Sequence, residues 1–406
     1  MTINTETILQ WMTAVTFALY LWFIFACLVQ LRRGRRYDSP HESQMPVGEW
    51  PSVTILKPCA GSDDDLESCL ESYFTVRYPN TQLLFGVRSE SDPALAVIER
   101  VRAKYPQMDS AVFVTGEGSH VSPKISQMEF LAHHAKHDYW WLSDSNTKVH
   151  PDTLWDMMAK LRVPGSGLVA SPVVGDGERT MGSALENLQQ NCYVVLTTYA
   201  LKFSLARVAV PGKSMLVTKE ALLKVGGWNE IGQYFADDEV LIQSMMAHGY
   251  KTHLGTLAVQ NVNCSGDVKK FYHRHLRWSQ IRWRVVPHGT VMELLFMAPI
   301  HTTLLYFLLL PSLQTAGLFA LGVLTQCGLD YLVAYAVRGR GIEPRYWGVV
   351  LLRPYINVLL VIRGLFSGHV AWRGNDLWMG PRAKILTEPA YRRGLRALRS
   401  AIKGGA

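Results

Sequence analysis

The chain has 406 residues, 48% of them hydrophobic, and a formal net charge of +8 from 41 Lys and Arg against 33 Asp and Glu. That length buries a real core, one catalytic-sized domain with something extra. The six cysteines show neither a CxxC pair nor metal-ligand spacing, which argues against a zinc site built on them and predicts free thiols in a reducing compartment. Residues 11–31 carry no charge for 21 positions, enough to cross a bilayer core at about 1.5 Å per residue. Only Glu6 precedes them and "RRGRR" follows, so residues 1–36 read as an uncleaved signal anchor whose basic end is cytoplasmic.

Residues 50–265 read as a cytoplasmic α/β domain. "SVTILKP" is a buried strand, and Ser62 with Asp65 three later forms a capping box for the helix "DDDLESCLESYF". A strand "TQLLFGVRS", a helix closed near Pro106, a strand "AVFVTG", a helix "KISQMEFLAHHAKH" and a strand "YWWLSD" follow. This alternation predicts a doubly wound, mostly parallel sheet, whose ligands bind at the carboxyl ends of strands where the strand order reverses. Asp92 and Asp144 both stand just past strand ends.

Beyond the domain, 266–290 is a basic amphipathic helix containing "RHLRWSQIRWR" (274–284). A charge-free run of 36 residues, 294–329, would make one helix roughly 54 Å long, so it reads as a membrane hairpin over 291–337, with spans near 292–310 and 313–336 and the turn near Pro311. Residues 338–406 hold an apolar piece, 346–362, interrupted by Arg353 and Pro354. Its basic flanks predict a re-entrant or interfacial helix, followed by a basic cytoplasmic tail.

Taken singly, each candidate motif has an ordinary structural explanation. Asp92 in "SESDPA" is a turn residue before proline, and "DSN" after Asp144 is common turn chemistry. The acids of "FADDEV" open a helix and favour its positive end. "KVGGWNE" reads as a helix-ending glycine pair or as a flexible loop under an aromatic lid formed by Trp228. His133, His134 and His137 have zinc-like spacing without the glutamate base, so a polar helix face is the better reading. "RHLRWSQIRWR" is explained by a membrane surface, except for the three-residue spacing of Arg274 and Arg277 immediately before Trp278.

The order of these motifs carries more than any one of them. Asp92, Asp144, the pair Asp237-Asp238, then Arg274-x-x-Arg277-Trp278 resembles the D, D, D, (Q/R)xxRW pattern of lipid-directed and processive inverting glycosyltransferases with the GT-A fold. Within that group the chain is most similar to the ceramide glucosyltransferase family, as a bacterial-type member, through "ILKPCAGSDDDLESCL", "FGVRSESDPA", "SPKIS", "LSDSNTKV", "GKSMLVTKEAL" and the terminal "WRG". The resemblance implies a GT-A catalytic domain with one N-terminal and about two C-terminal membrane helices plus interfacial helices. It implies that Asp92 contacts uridine and Lys124 the nucleotide, that Asp144 holds a divalent cation (Mg2+ or Mn2+), and that Asp238 is the catalytic base. Arg274 and Arg277 then serve the diphosphate, and Trp278, Asp237 and Trp228 the acceptor and closure.

The implied partners are a UDP-sugar donor, a ceramide acceptor and a membrane, with no nucleic acid. The chain departs from the family pattern in having Asp-Ser-Asn at the metal motif and Asp237 where glutamate is usual. Other acceptors (diacylglycerol, a hopanoid) and other donors (UDP-glucuronate, UDP-galactose) remain open at this level. A processive polysaccharide synthase would need more spans for its channel. A non-catalytic membrane scaffold would have no need of the complete carboxylate set. Basic clusters that flank membrane segments do not make a nucleic-acid groove.

Overall fold

A computed structural model describes residues 4–35, 50–62, 64–296, 298–372 and 375–388. The expected features at Arg36, at Arg373-Gly374 and in the tail 389–406 lie outside them. The chain opens with a long helix, α1 (Thr5–Arg35). It then alternates β1 (Val53–Pro58), α2 (Leu66–Phe74), β2 (Thr81–Val87), α3 (Pro93–Lys104), β3 (Asp109–Val114), α4 (Pro123–His133) and β4 (Tyr139–Ser143). β1, β2 and β4 are apolar runs buried on both faces, as inner strands of a covered parallel sheet must be, while β3 lies half-buried at the edge. Next come β5 (Thr147–Lys148), α5 (Thr153–Leu161), β6 (Ser166–Ala170), β7 (Val173–Asp176) and α6 (Met181–Gln189). A π-helical turn (Gln190–Val194) joins α6 to α7 (Val195–Leu205). The domain closes with β8 (Ser214–Thr218), α8 (Lys219–Lys224), α9 (Gly227–Ile231), α10 (Asp237–Ala247), β9 (Lys251–Leu254) and β10 (Val259–Val262).

The main sheet has seven strands in the order β3-β2-β1-β4-β8-β6-β9. The first four are mutually parallel, and β8 runs antiparallel to both β4 and β6. This is the mostly parallel, doubly wound sheet expected from the alternation. Strand order reverses between β1 and β4, so the crevice beyond their carboxyl ends is the natural ligand site. Asp144 immediately follows β4. One expected detail is absent. Asp65 caps α2 in a left-handed conformation (φ 54°) without a side-chain bond, while Asp64 instead accepts from the amides of Cys264 and Ser265 at 2.8 and 2.7 Å. The local box loses to a contact two hundred positions away in the chain.

The C-terminal part contains α11 (Val268–Val285), α12 (Pro287–Phe296), α13 (Ala298–Leu309), α14 (Leu313–Arg338) and α15 (Trp347–Phe366). It ends in a three-stranded sheet of β11 (His369–Trp372), β12 (Asn375–Met379) and β13 (Ile385–Leu386). Pro311 lies in the turn before α14, whose first residues are closed by a Ser312–Thr315 capping box. Among the described residues, three helices are long and apolar enough to cross a membrane: Thr5–Arg33, Leu313–Arg338 and Pro344–Phe366. One expectation changes. The piece 346–362, read as re-entrant or interfacial, continues as helix through Pro354 to a length sufficient to cross. Arg353 does not break it, because its guanidinium is buried 2.5 Å from Asp330 of α14 instead of facing lipid.

The terminal sheet does not lie apart as a tail. Phe235 N–H donates to Ala383 O at 3.0 Å and Ile385 N–H donates to Gln233 O at 2.8 Å, so this sheet holds the loop leading into α10. Val370, Leu377 and Met379 bury Phe235 together with Ile281 and Val285 of α11.

Candidate active site

Beyond the ends of β1 and β4 lies a cavity of about 930 Å³, large for a single small-molecule site. Asp92, Lys124, Asp144, Asp237 and Asp238 all line it, as do Arg274, Arg277 and Trp278. Eight of the nine residues singled out by sequence are thus brought together from strand tips, helix starts and α11. The exception is Trp228. It is buried and stacks on Trp140 with ring centroids 5.9 Å apart. Gly226 and Gly227 adopt positive φ (105° and 61°), forming a tight join between α8 and α9 that turns Trp228 into the core instead of over the site.

Asp92 caps α3, its Oδ1 accepting from Ala94 N–H at 2.9 Å and from Gly61 N–H at 2.9 Å. Capping and cavity roles therefore coexist, because Ala94 N–H at the helix start and Gly61 N–H from the loop after β1 together fix the carboxyl group at the cavity wall. Asp144 sits between two ammonium groups, Lys124 at 3.1 Å on Oδ1 and Lys213 at 2.8 Å on Oδ2. The contact on Oδ1 is an ion pair without hydrogen-bond geometry. Burial alone would raise the Asp144 pKa, but the two lysines outweigh it and hold the carboxyl well below its usual range. Lys124 also meets Asp237 at 3.1 Å, and these acids keep it protonated against the effect of burial.

Asp238 is in a different environment. Its Oδ2 accepts from Gly212 N–H at 2.6 Å and its Oδ1 from Glu239 N–H at 2.8 Å. Burial first, and then the like charge of Asp237, push its pKa up to about 6, against the opposing pull of Lys124 and the two amides. Of two adjacent acids, one is tied to a lysine and the other is poised near neutrality, the division expected where one carboxylate must accept a proton. Gly212 is required for this. A Cβ there would lie 2.5 Å from Asp238 Cβ.

The α11 residues are fixed from below by Glu186 of α6. Glu186 accepts from His275 at 3.1 Å and pairs with Arg274 at 3.1 Å, while Arg274 also donates to Asn263 Oδ1 at 3.2 Å. Trp278 stands edge-on to His275 at 4.8 Å. The second half of the basic stretch also turns inward. Arg282 lines the cavity 5.5 Å over the Tyr193 ring, Trp283 Nε1 donates to Val361 O at 2.8 Å, and Arg284 donates to Ser367 O at 3.1 Å. These contacts pack the second half of the stretch against α15 and the site.

Two lysines escaped the sequence reading. Lys213 bridges Asp144 and Asn146, and its position follows from the antiparallel register Ser143↔Ser214, which places residue 213 against residue 144. Lys57, at the end of β1, is fully buried, donates to Asp144 O at 2.7 Å and lies 3.7 Å over the Tyr73 ring. Burial lowers its pKa to about 8. Its only sequence signal was a charge inside an apolar strand.

Residues 15–385 match glycosyl transferase family 21. The chain belongs to that family. It is 24% identical over 374 residues to "Ceramide glucosyltransferase 1" of Caenorhabditis elegans, covering 86% of this chain and 76% of that one. "Ceramide glucosyltransferase 3" of the same organism is 26% identical over 345 residues, covering 83% and 74%. Among solved structures, a mannosyltransferase from Pyrobaculum calidifontis in complex with GDP-Man and Mn2+ aligns with a TM-score of 0.47 at 15% identity, over 87% of this chain and 99% of that one. As a member of family 21, the protein is a sugar-transferring membrane enzyme.

Proposed function

We propose that this enzyme transfers glucose from UDP-glucose to the primary hydroxyl of ceramide with inversion, giving a β-glucosylceramide. The observation that carries the reading is Asp238, held by the amides of Gly212 and Glu239 in a cavity that also presents Lys124, Lys213, Arg274 and Arg277, with its pKa pushed up to about 6 by burial and the neighbouring Asp237. The sugar and the acceptor follow the names of the relatives, and the UDP carrier follows the motif resemblance. Lys124, Lys213, Arg274 and Arg277 suit the diphosphate, because charge-assisted bonds to phosphate oxygens strengthen as the leaving group gains charge. Asp92, in the same cavity wall, would contact the uridine. A lipid hydroxyl becomes an effective nucleophile when Asp238 takes its proton during attack on the anomeric carbon. A base on the face opposite the departing diphosphate turns an α-linked donor into a β-glycoside. Asp237, held by Lys124, keeps the Asp238 pKa raised, and Trp278 borders the acceptor side. The basic flank of α1 supports a catalytic domain on the cytoplasmic face, as the positive-inside rule would have it.

A divalent cation fits this site only in part. Among the described residues no three His, Cys, Asp or Glu groups are disposed to hold a metal. Asp144 offers one carboxylate, and Asn146 an amide oxygen beside it that now accepts from Lys213 at 3.1 Å. A Mg2+ or Mn2+ ion would be held by Asp144 and completed by donor phosphate oxygens and water, as suits a cation that keeps much of its hydration. When bound, it would supply charge stabilisation to the leaving diphosphate. The expected signature is Mn2+ binding that is detectable by electron paramagnetic resonance in the presence of UDP and negligible without it.

The test is purified enzyme in liposomes, offered UDP-glucose, UDP-glucuronate or UDP-galactose against ceramide, diacylglycerol or a hopanoid, with products identified by mass spectrometry. β-Glucosylceramide as the main product is expected. A main product from another pair would reassign the substrates, and intact donor in every combination would remove the proposed reaction.

A further inference from the structure

The cavity that holds the acids continues past them. Its wall runs along Tyr193 of the π-helical turn, Thr197 and Leu201 of α7, and Val285 and Val286 at the end of α11. The Thr197 hydroxyl donates to the Tyr193 carbonyl, and the neighbouring Thr198, also in the wall, donates to Ala209 O at 2.9 Å. The two threonine hydroxyls are thus engaged with backbone, and beside Arg282, whose guanidinium lies over the Tyr193 ring, Leu201, Val285 and Val286 offer a ligand hydrocarbon. A π-helical turn often marks a functional site, and this one lies in the cavity wall.

Both sides of this limb lean on a membrane helix. Phe203 of α7 packs against Trp22 and Phe25 of α1 with ring centroids 5.6 and 6.0 Å apart, and Trp22 Nε1 donates to Ser204 Oγ at 3.1 Å. Val286 leads directly into α12, which also packs on α1. The outer face of α1 exposes Trp11, Val15 and Phe25, as a lipid-facing surface does. A single cavity therefore joins the poised carboxylate to a hydrocarbon wall beside the membrane segment.

We infer that the limb between α7 and the α11–α12 junction admits the hydrocarbon chain of the lipid acceptor from the bilayer, with its hydroxyl end directed to Asp238. This rests on the lipid-acceptor reading above and adds the route and the residues that select for chain length. Val285 and Phe235 share one apolar cluster, so the route passes beside the loop that carries the acids.

The test uses the full chain in liposomes with two acceptors of one head group, a long-chain ceramide and a short-chain soluble one. Leu201→Trp and Val286→Trp should each lower the ratio of long-chain to short-chain kcat/KM at least tenfold. An unchanged ratio in both variants would overturn the route. A long-chain acceptor carrying a mid-chain diazirine gives a second reading on the unmodified enzyme. Photolysis should label residues 197–201 and 285–289, and labelling confined to the outer faces of α1 and α14 would overturn the proposal even where the Trp variants fail to fold. Failure of the unmodified enzyme to glycosylate either acceptor would remove the lipid-acceptor reading itself, a result distinct from an unchanged ratio.

Discussion

Two of the carboxylates paired with cations in this protein, Asp144 and Asp330, sit in contrasting surroundings. Asp144 and its partners Lys124 and Lys213 keep about a fifth of their side-chain surface exposed, on the wall of a cavity. Asp330 and Arg353 are each 1% exposed and are enclosed by α1, α14, α15 and the end of α6. Tyr20 O–H donates to Asp330 at 2.7 Å, Gln326 donates to Tyr20 Oη at 2.8 Å, and Arg353 donates to Gln189 at 3.1 Å. The lysines at Asp144 have mobile stems and can exchange one anion for another. Among the described residues, Asp330 is the carboxylate that pairs with Arg353. The same pairing of charges thus gives an exchangeable site in one place and a fixed joint between membrane helices and catalytic domain in the other.

That contrast is open to direct attack. In the open cluster a substitution should cost rate and spare the fold. Asp238→Asn should lower turnover about 10²–10⁴-fold, the usual worth of a positioned base, while calorimetry shows UDP-sugar affinity nearly unchanged. Residual turnover within a few-fold of the parent would take Asp238 out of the base role. In the closed cluster the reverse should hold. Arg353→Ala should cost about 3–5 kcal/mol of stability by leaving Asp330 uncompensated, read as a lower thermal midpoint in detergent. Replacing both partners with apolar residues should recover most of that loss with turnover intact. An Arg353→Ala enzyme that melts normally but turns over slowly would erase the distinction.

Smaller effects sharpen it. Lys213→Ala should weaken donor affinity about tenfold, in keeping with the loss of one charged hydrogen bond, with an unchanged melting point. Turnover should fall as pH drops below about 6, because Asp238 is active only when deprotonated and takes up its proton there. Asp237→Asn removes the neighbouring charge and should move that acidic limb to lower pH, and a limb that stays in place would assign it to another group. The smallest effect is reserved for Trp228→Phe, which should leave turnover within about twofold because the ring packs in the core.

The sequence makes strand tips and helix starts visible, and the site is largely built from them. Asp92 and Asp144 follow apolar runs, and Asp237 and Asp238 begin a helix, so short-range pattern was enough to place all four. What it could not show depends on partners distant in the chain. Lys213 becomes a neighbour of Asp144 only through antiparallel pairing of β8 with β4. Arg353 looked like an interruption because its counter-ion sits on another helix. Trp228 looked like a lid because a glycine pair suggests flexibility, whereas here both glycines are fixed in one tight turn. In "RHLRWSQIRWR" the first half was separable by motif, but the inward packing of Arg282 and Trp283 needed α15 in place.

The two main-chain bonds between 233–235 and 383–385 have a consequence for biogenesis. At about 5–20 residues per second of synthesis, the acid-bearing loop leaves the ribosome on the order of ten seconds before the segment that pins it. During that interval the parallel core, whose strands are all upstream, has its parts in hand, while the loop before Asp237 lacks its final partners. Completion of the catalytic loop is thereby deferred until the membrane helices that precede residue 383 have been made.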